Sequence, residues 1–502
     1  MPPVNSSQRL TRSLLLAVFS VTIGTWYPLG FSLTNINAPE DVIVQWMRTV
    51  ECHRSLHANA DDSTLWCRPA YYNETHQLLK ENFVLNSLWA LVGCSLIVGC
   101  FVSIWIANYM MARLGMKVTF YICNAVVAVG VALCGCCVVA KSYALFIIGR
   151  FVVGMGLGVS ISAASIYIAE ISPVRLRGAL GTVPSLLYGS GMLTAAILGL
   201  PQILGSEETW TGLSWFLFLP VILHFVSLPF CPESPRYLLL NKKDKVNGEK
   251  ALQWLRKSAD VKEEIRDRKR RSCRRRSTHR LGDWSVQRQL LRRNILICVA
   301  IIIDQRFTGY VAVYTYSTAI FSSVGLARLQ SMYGTIGLMF VQTMSGVSGM
   351  LLMDKAGRRK LLIAGNIGCT LAMVLLTVFS LLVNRGVCPQ CQWGGLAAVL
   401  AFIILFGIGP ASVPWVLTAE MFDKSSRSSA MTVVMACCHA AGGTVAAVFP
   451  LMMTSLDAWT FLVFAGIMTV FTVFFWWTVV ETKGKTFSEI QAILWQKYNK
   501  QD

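Results

Sequence analysis

Apolar residues in this chain are gathered into long uninterrupted blocks. A block of 18 or more residues with few charges reads as a membrane-crossing helix, because a hydrocarbon core about 30 Å thick needs about 20 residues at 1.5 Å each. Six blocks occupy residues 13–38, 82–112, 118–140, 143–169, 178–206 and 210–231. Among them the only charged side chain is Arg150 in the fourth, and the sixth carries His224. Six more follow at 294–322, 333–353, 361–384, 393–419, 429–456 and 458–480. The pattern predicts an all-α membrane protein of twelve transmembrane helices. Composition agrees: 14% of the 502 residues are charged, against about 25% in soluble domains.

The formal net charge of +19 suggests nucleic acid until it is located. Segment 233–293 alone holds 20 Lys and Arg against 8 acids, densest over 266–280. Between two spans this is the Lys and Arg bias of cytoplasmic loops, and anionic inner-leaflet lipid is its expected partner. No nucleic-acid reading element accompanies it, so no nucleic-acid partner is expected. The other basic loops all follow even-numbered spans: Arg113 and Lys117, Arg175 and Arg177, Lys355 to Lys360, Lys424 and Arg427, and the tail after 480. Those loops and both termini are therefore expected in the cytoplasm of a multi-pass plasma-membrane protein.

Loop 39–80 then lies outside, where Asn73 heads an N-glycosylation sequon. Cys52 and Cys67 in that loop can pair there, as can Cys388 and Cys391 after span 9, if the chain turns tightly between them. The other twelve cysteines fall mostly in apolar blocks and read as small buried hydrophobes. The six histidines are dispersed, so neither a metal site, a cofactor nor an enzyme's nucleophile cluster is expected.

The halves repeat. Residues 113–117 read R-L-G-M-K after span 2, and 354–359 read D-K-A-G-R-R after span 8. Glu170 precedes Arg177 by seven residues after span 4, as Glu420 precedes Arg427 after span 10. Two six-helix halves with charged signatures at matching places mark a transporter built from repeats, its site at their interface near mid-depth. The expected divisions are a cytoplasmic start at 1–12, bundles at 13–231 and 294–480, a basic loop at 232–293 and a tail at 481–502.

Seven stretches make a more specific match: I-N-A-P (36–39), G-R-F-V-V-G (149–154), R-G-A-L-G (177–181), C-P-E-S-P-R-Y-L-L (231–239), A-G-R-R (356–359), G-P-A-S-V-P-W (409–415) and E-T-K-G-K-T-F (481–487). With them the chain resembles, nearly end to end, the sugar-porter branch of the major facilitator superfamily. Within that branch it is similar to the GLUT-type facilitated hexose carriers, nearest in wording to those that carry fructose or urate. The resemblance implies two six-helix bundles rocking about a central cavity, with short intracellular helices in segment 233–293, where 248–256 is amphipathic. It implies a small-molecule solute and a functional monomer. It also implies charged gate partners at the cytoplasmic edge: Arg113, Arg150, Glu170, Arg177, Glu233, Arg236, Arg358, Arg359, Glu420 and Arg427.

Relatives bind hexose through polar side chains, since each hydroxyl stripped of water needs a partner. Carried over by flanking motif, the span 7 signature Q-Q-L-S-G-I-N-A falls on 305–312, keeping Gln305 but placing Arg306 and Val311 at its second Gln and its Asn. The other positions fall on Ser185, Gln342 and Trp415, on Gly407 where relatives have an acid, and on Cys438 and His439 where they have Asn and Trp. The scaffold is kept and the sugar-reading set is rewritten. Arg306 and Asp304 both lie near the middle of span 7, about 200° apart on the helix, so they cannot simply pair. A charge at that depth costs roughly 2.5–3.5 kcal/mol on insertion scales and faces a protein interior or a wet cavity. Arg306 therefore either meets a planar anion such as a carboxylate or urate, with His439 as a second donor, or pairs with a neighbouring helix while an uncharged sugar binds. Span 1 has no acid, which favours uniport over proton coupling and leaves Asp304 as the candidate proton site. The expected function is facilitative transport of a hexose or related small polar solute. A planar-anion carrier and a non-transporting sensor are the alternatives.

Overall fold

The structure, a computed structural model, describes residues 10–57, 82–173, 176–258, 261, 265–266, 284–422, 427–485 and 487–499, and these form helices joined by turns. The N-terminal half comprises α1 (Arg12–Thr34), α2 (Glu40–His57), α3 (Phe83–Leu114), α4 (Met116–Gly135), α5 (Tyr143–Ile171), α6 (Arg177–Leu198), α7 (Thr211–Phe216) and α8 (Phe218–Ser227). Then come α9 (Lys245–Arg256), α10 (Trp284–Phe307), α11 (Tyr310–Ser323), α12 (Arg328–Ala356), α13 (Arg358–Asn384), α14 (Cys391–Ile408), α15 (Val413–Met421), α16 (Arg427–Leu456), α17 (Trp459–Thr478) and α18 (Phe487–Asn499). Polar residues mark where several spans begin: Thr11, Asn82 and Ser142 accept from the amides of Leu14, Leu85 and Leu145. Each satisfies an amide that has no partner within its own helix.

Eleven helices among the described residues are long and apolar enough to cross a membrane. The predicted eighth span lies in α12, which is helical throughout but carries Gln342, Thr343, Ser345 and Ser348. It faces the other half, where Thr343 lies against Gly189 of α6, and these polar residues lower its hydropathy. Three predicted spans are broken. Span 6 divides into α7 and α8, span 7 into α10 and α11 at Gly309 (φ 86°), and span 10 into α14 and α15 across residues 409–412. Pro410 and Pro414 interrupt the helical ladder of span 10 because they lack N–H groups. Span 1 ends at Thr34, and α2 follows after a short turn, so part of the expected outer loop is helical.

An even number of crossings puts the start of α1 and α18 on one side, here the tail face, and α2 on the far face. The two halves meet where α3 packs on α16 and α6 packs on α12. A shift by six spans turns one of these contacts into the other, so they are one packing mode used twice. α9 sits on the tail face with Asp244 as its cap; Thr11 donates to Leu255 O (2.7 Å), and buried Arg256 donates to Ile171 O (2.8 Å). Its described hydrogen bonds outside the helix tie it to the N-terminal half. α18 buries Ile490 and Leu494 against the apolar residues of α10 and α15.

The repeat reaches atomic detail at the tail face. Glu233 accepts from the amides of Met116 (3.0 Å) and Lys117 (3.1 Å), which open α4. Glu481 accepts from those of Arg358 (2.9 Å) and Arg359 (3.2 Å), which open α13. A carboxylate on two free amides at the positive end of a helix is favoured both by hydrogen bonding and by the dipole. The residue before each helix is glycine, Gly115 (φ 88°, ψ 175°) and Gly357 (φ 92°, ψ 156°), in a region of backbone space nearly closed to other residues. A Cβ would lie 2.8 Å from Glu233 Oε2 at Gly115 and 2.6 Å from Glu481 Oε2 at Gly357. Gly115→Ala or Gly357→Ala should each destabilise the protein by about 1–3 kcal/mol through backbone strain, read as a lower melting temperature in detergent. An unchanged melt in both would remove these caps from the account of stability.

Candidate functional site

Mid-depth residues of both halves converge on Arg306, near the end of α10. Its Nε and Nη2 donate to Cys438 Sγ of α16 at 3.0 and 2.7 Å. Nη1 donates to the Tyr310 hydroxyl, and the guanidinium lies 5.1 Å from the centre of that ring. Cys100 of α3, Tyr188 of α6 and His439 of α16 share its electrostatic field. Arg306 is half-buried, as are Tyr188 and His439. A half-buried cation at this depth, in the field of residues from both halves, makes the inter-bundle space the candidate site.

The remaining carried-over positions divide between scaffold and site. Gln305 is buried and donates through Nε2 to Pro410 O (2.7 Å) and Ala411 O (3.0 Å), the carbonyls set free where span 10 breaks. Its Oε1 has no partner, nor has Oε1 of half-buried Gln342. Two buried acceptors without donors suit a ligand rich in hydroxyl groups. Ser185 is exposed, one helical turn before Tyr188, and Trp415 is half-buried beside the tail-side apolar cluster. At Gly407 a Cβ would lie 2.3 Å from Ser345 Oγ, so α12 and α14 pack too closely for the acid that relatives place there. His439 Nδ1 pairs with Met435 O at 2.9 Å. A carbonyl only accepts, so the proton sits on Nδ1, and the free Nε2 of the neutral ring accepts rather than donates. That reverses the donor role expected of His439.

Asp304 points elsewhere. It is fully buried and takes a 2.7 Å hydrogen bond from Asn366 of α13, inside the C-terminal bundle. Sequence reasoning did not single out Tyr188, Tyr310 or Asn366. Tyr310 was recoverable, since it lies four residues after Arg306 and so on the same helix face.

Among the described residues, several of the expected gate charges pair within one half. Arg236 pairs with Glu170 at 3.3 Å, and Arg358 with Glu420 at 3.0 Å. Ser234 donates to Glu170 as Thr482 donates to Glu420. Glu481, missed from sequence, is the C-terminal counterpart of Glu233. Arg113 lies over the Tyr109 ring, and Arg359 over that of Trp476. Arg150 is remote from the tail face: it is buried near the far end of α5, donating to Val92 O (2.9 Å) and Asn35 Oδ1 (3.0 Å). The side chains of Arg177 and Arg427, together with Asn73, Cys67 and the basic run beyond Arg266, lie outside the described residues. Cys52 is disulfide-bonded, and Cys388 bonds Cys391 across a turn with Cα atoms 5.4 Å apart.

Contacts between the halves concentrate at the far face. Asn37 donates to Tyr314 O (3.0 Å) and Ser317 Oγ (2.6 Å) and accepts from the Thr318 amide (2.9 Å). Asn86 donates to Thr454 (2.8 Å), and Asp41 pairs with Arg328 (2.9 Å). At the tail face the described inter-half hydrogen bond is the exposed one from Asn108 to Thr432 (3.1 Å). The described fastenings between the halves thus gather at the far face.

These features define a two-bundle carrier of the major facilitator fold, with a candidate solute site between its bundles. Residues 18–494 match the family described as sugar (and other) transporter. The chain is 34% identical over 487 residues to human facilitated glucose transporter member 3, covering 96% of this chain and 92% of that one. It is 30% identical over 500 residues to mouse facilitated glucose transporter member 2, covering 97% and 95%. Its fold is similar to the inward-open conformation of the xylose transporter XylE from E. coli, with a TM-score of 0.74 at 21% identity over 96% of this chain and 99% of that one. The chain belongs to the sugar transporter family.

Glu40, at the far-face seam beyond span 1, offers a titration test. Burial and then neighbouring Asp41 push its carboxyl up to about 8 from an ordinary 4.5, against smaller opposing effects of Trp89 and Arg328. The closed far face therefore holds this proton more tightly than an open, hydrated one. Closure should weaken as pH rises from about 4.5 to about 8 and level off above that. Distances between spin labels across the far face should show this, and Glu40→Gln should flatten the profile. A profile identical in the variant would dismiss Glu40 as its source.

Proposed function

We propose that this protein carries a hexose, or a closely related small polar solute, down its gradient across the plasma membrane by alternating access. The observation that carries the reading is the placement of Arg306, Gln305 and Gln342 where the halves meet, beneath a far face fastened by Asn37. Solute enters this chamber from the tail side in the conformation described. When the bundles rock, the Asn37 contacts part, and the charged clusters at the tail face meet across the halves and close it. The basic loops place that face in the cytoplasm, with the 266–280 run against anionic lipid. Transport is facilitative, because span 1 offers no acid to titrate during the cycle. One copy suffices, since both halves of the chamber come from a single chain. The chemistry is binding and release, with no covalent step.

Purified protein in liposomes should take up tracer hexose saturably, reaching equal concentrations on both sides whatever pH gradient is imposed. Cysteines at Asn37 and Ser317 should cross-link the far face on oxidation, lower uptake at least about tenfold, and release it on reduction. Accumulation driven by a pH gradient would sink uniport. Full uptake through the cross-linked form would sink the far-face gate.

A further inference from the structure

Among the described residues no carboxylate partners Arg306. Its described partners are a thiol and a phenol, and the groups sharing its field are Cys100, Tyr188, Tyr310, Tyr314, Cys438 and His439. Asp304, two residues away, is turned into the C-terminal bundle and bound to Asn366. Sulfur is a weak acceptor, so Cys438 holds the guanidinium without answering its charge. Of the five N–H groups on an Arg side chain, Nε–H, one on Nη2 and one on Nη1 are used. One on each terminal nitrogen is left. Those two form the fork that grips a carboxylate through two parallel hydrogen bonds.

The rest of the site has the opposite character. Gln305 Oε1 and Gln342 Oε1 are buried acceptors without donors, and His439 presents a free acceptor nitrogen. Gln305 is 3% exposed and fixed by two carbonyls of span 10, so its oxygen cannot turn away to find another partner. A ligand that answers the whole site brings several hydroxyl donors and one anionic acceptor. We propose that the solute is a sugar acid, a hexose-sized polyol bearing a carboxylate. The acceptors read its hydroxyls, and Arg306 reads its carboxylate, either through the two spare N–H groups or by displacing Cys438. Arg306 is thereby the residue that sets selectivity. This rests on the carrier reading above and narrows its substrate.

The test uses the full-length protein in liposomes, with tracer D-glucuronate, D-glucose, D-fructose and urate, and a potassium gradient with valinomycin to set the voltage. Glucuronate should enter in preference to either hexose. Because it carries one charge, an inside-positive potential of about 100 mV should drive its accumulation roughly 50-fold, while hexose uptake ignores the voltage. Arg306→Gln should lower the ratio of glucuronate to hexose uptake at least about tenfold, while any glucuronate it still carries should keep following the voltage, because that charge belongs to the solute. If that variant is not recovered folded, Arg306→Lys keeps the charge without the fork and should still lower the ratio. Hexose uptake with no transport of glucuronate and no competition by it overturns the sugar acid and leaves the carrier reading standing. Uptake of urate in place of glucuronate overturns it in favour of a planar anion. Transport of none of the four overturns both readings, and an unchanged ratio in the Arg306 variants removes Arg306 from selectivity.

Discussion

A backbone that stops being helical inside a membrane has to find its hydrogen-bond partners in another helix, because lipid supplies none. Spans 7 and 10 both break in this protein, and Gln305 joins the two breaks. It leaves α10 just before Gly309 turns the chain, and its amide nitrogen holds the carbonyls of Pro410 and Ala411. Without that bridge the kink in span 10 would leave two carbonyls bare. A residue that relatives devote to sugar is here also a strut, and only its oxygen remains for a ligand. Gln305 thus links the candidate site to the break in span 10.

Around that bridge the molecule divides into parts that stay together and contacts that exchange. Among the described tail-face contacts, Glu233 and Glu481 cap helices, while Glu170 takes Ser234 and Arg236, and Glu420 takes Thr482 and Arg358. Across the far face the halves are held by a few hydrogen bonds, Asn37 making three, and by one half-exposed ion pair. Hydrogen bonds of this kind are each modest in net value and re-form with water when the halves part. Apolar contacts add to these, since one buried cluster runs from Ile36 and Trp89 of the N-terminal half to Phe321 and Phe449 of the C-terminal half.

The same division explains two charges placed two residues apart. Asp304 belongs to the interior of a rigid half and Arg306 to the seam. Asn366 stands nine residues after Gly357, as Asn124 stands nine after Gly115. In the N-terminal half that amide meets His224 at 3.0 Å, and in the C-terminal half it meets Asp304 at 2.7 Å. Equivalent buried amides thus serve different partners on different spans. The repeat preserved the positions and let the chemistry drift.

The number of crossings and the two-fold repeat were legible in the chain, because apolar blocks and charged loops report directly on the solvent each segment meets. Motif order likewise pointed to the family and to Gln305, Arg306 and Gln342 as residues of interest. What those residues do was decided only in three dimensions. The breaks in spans 6, 7 and 10 lie inside blocks that read as continuous, because hydropathy is blind to backbone angle. Arg150 reads as a gate charge until its depth beside Asn35 and Val92 is seen, Glu481 reads as tail until it caps α13, and His439 reads as a donor until Met435 claims its proton. Each of these depends on the direction of a side chain or on a partner distant in sequence, and pattern along the chain carries neither.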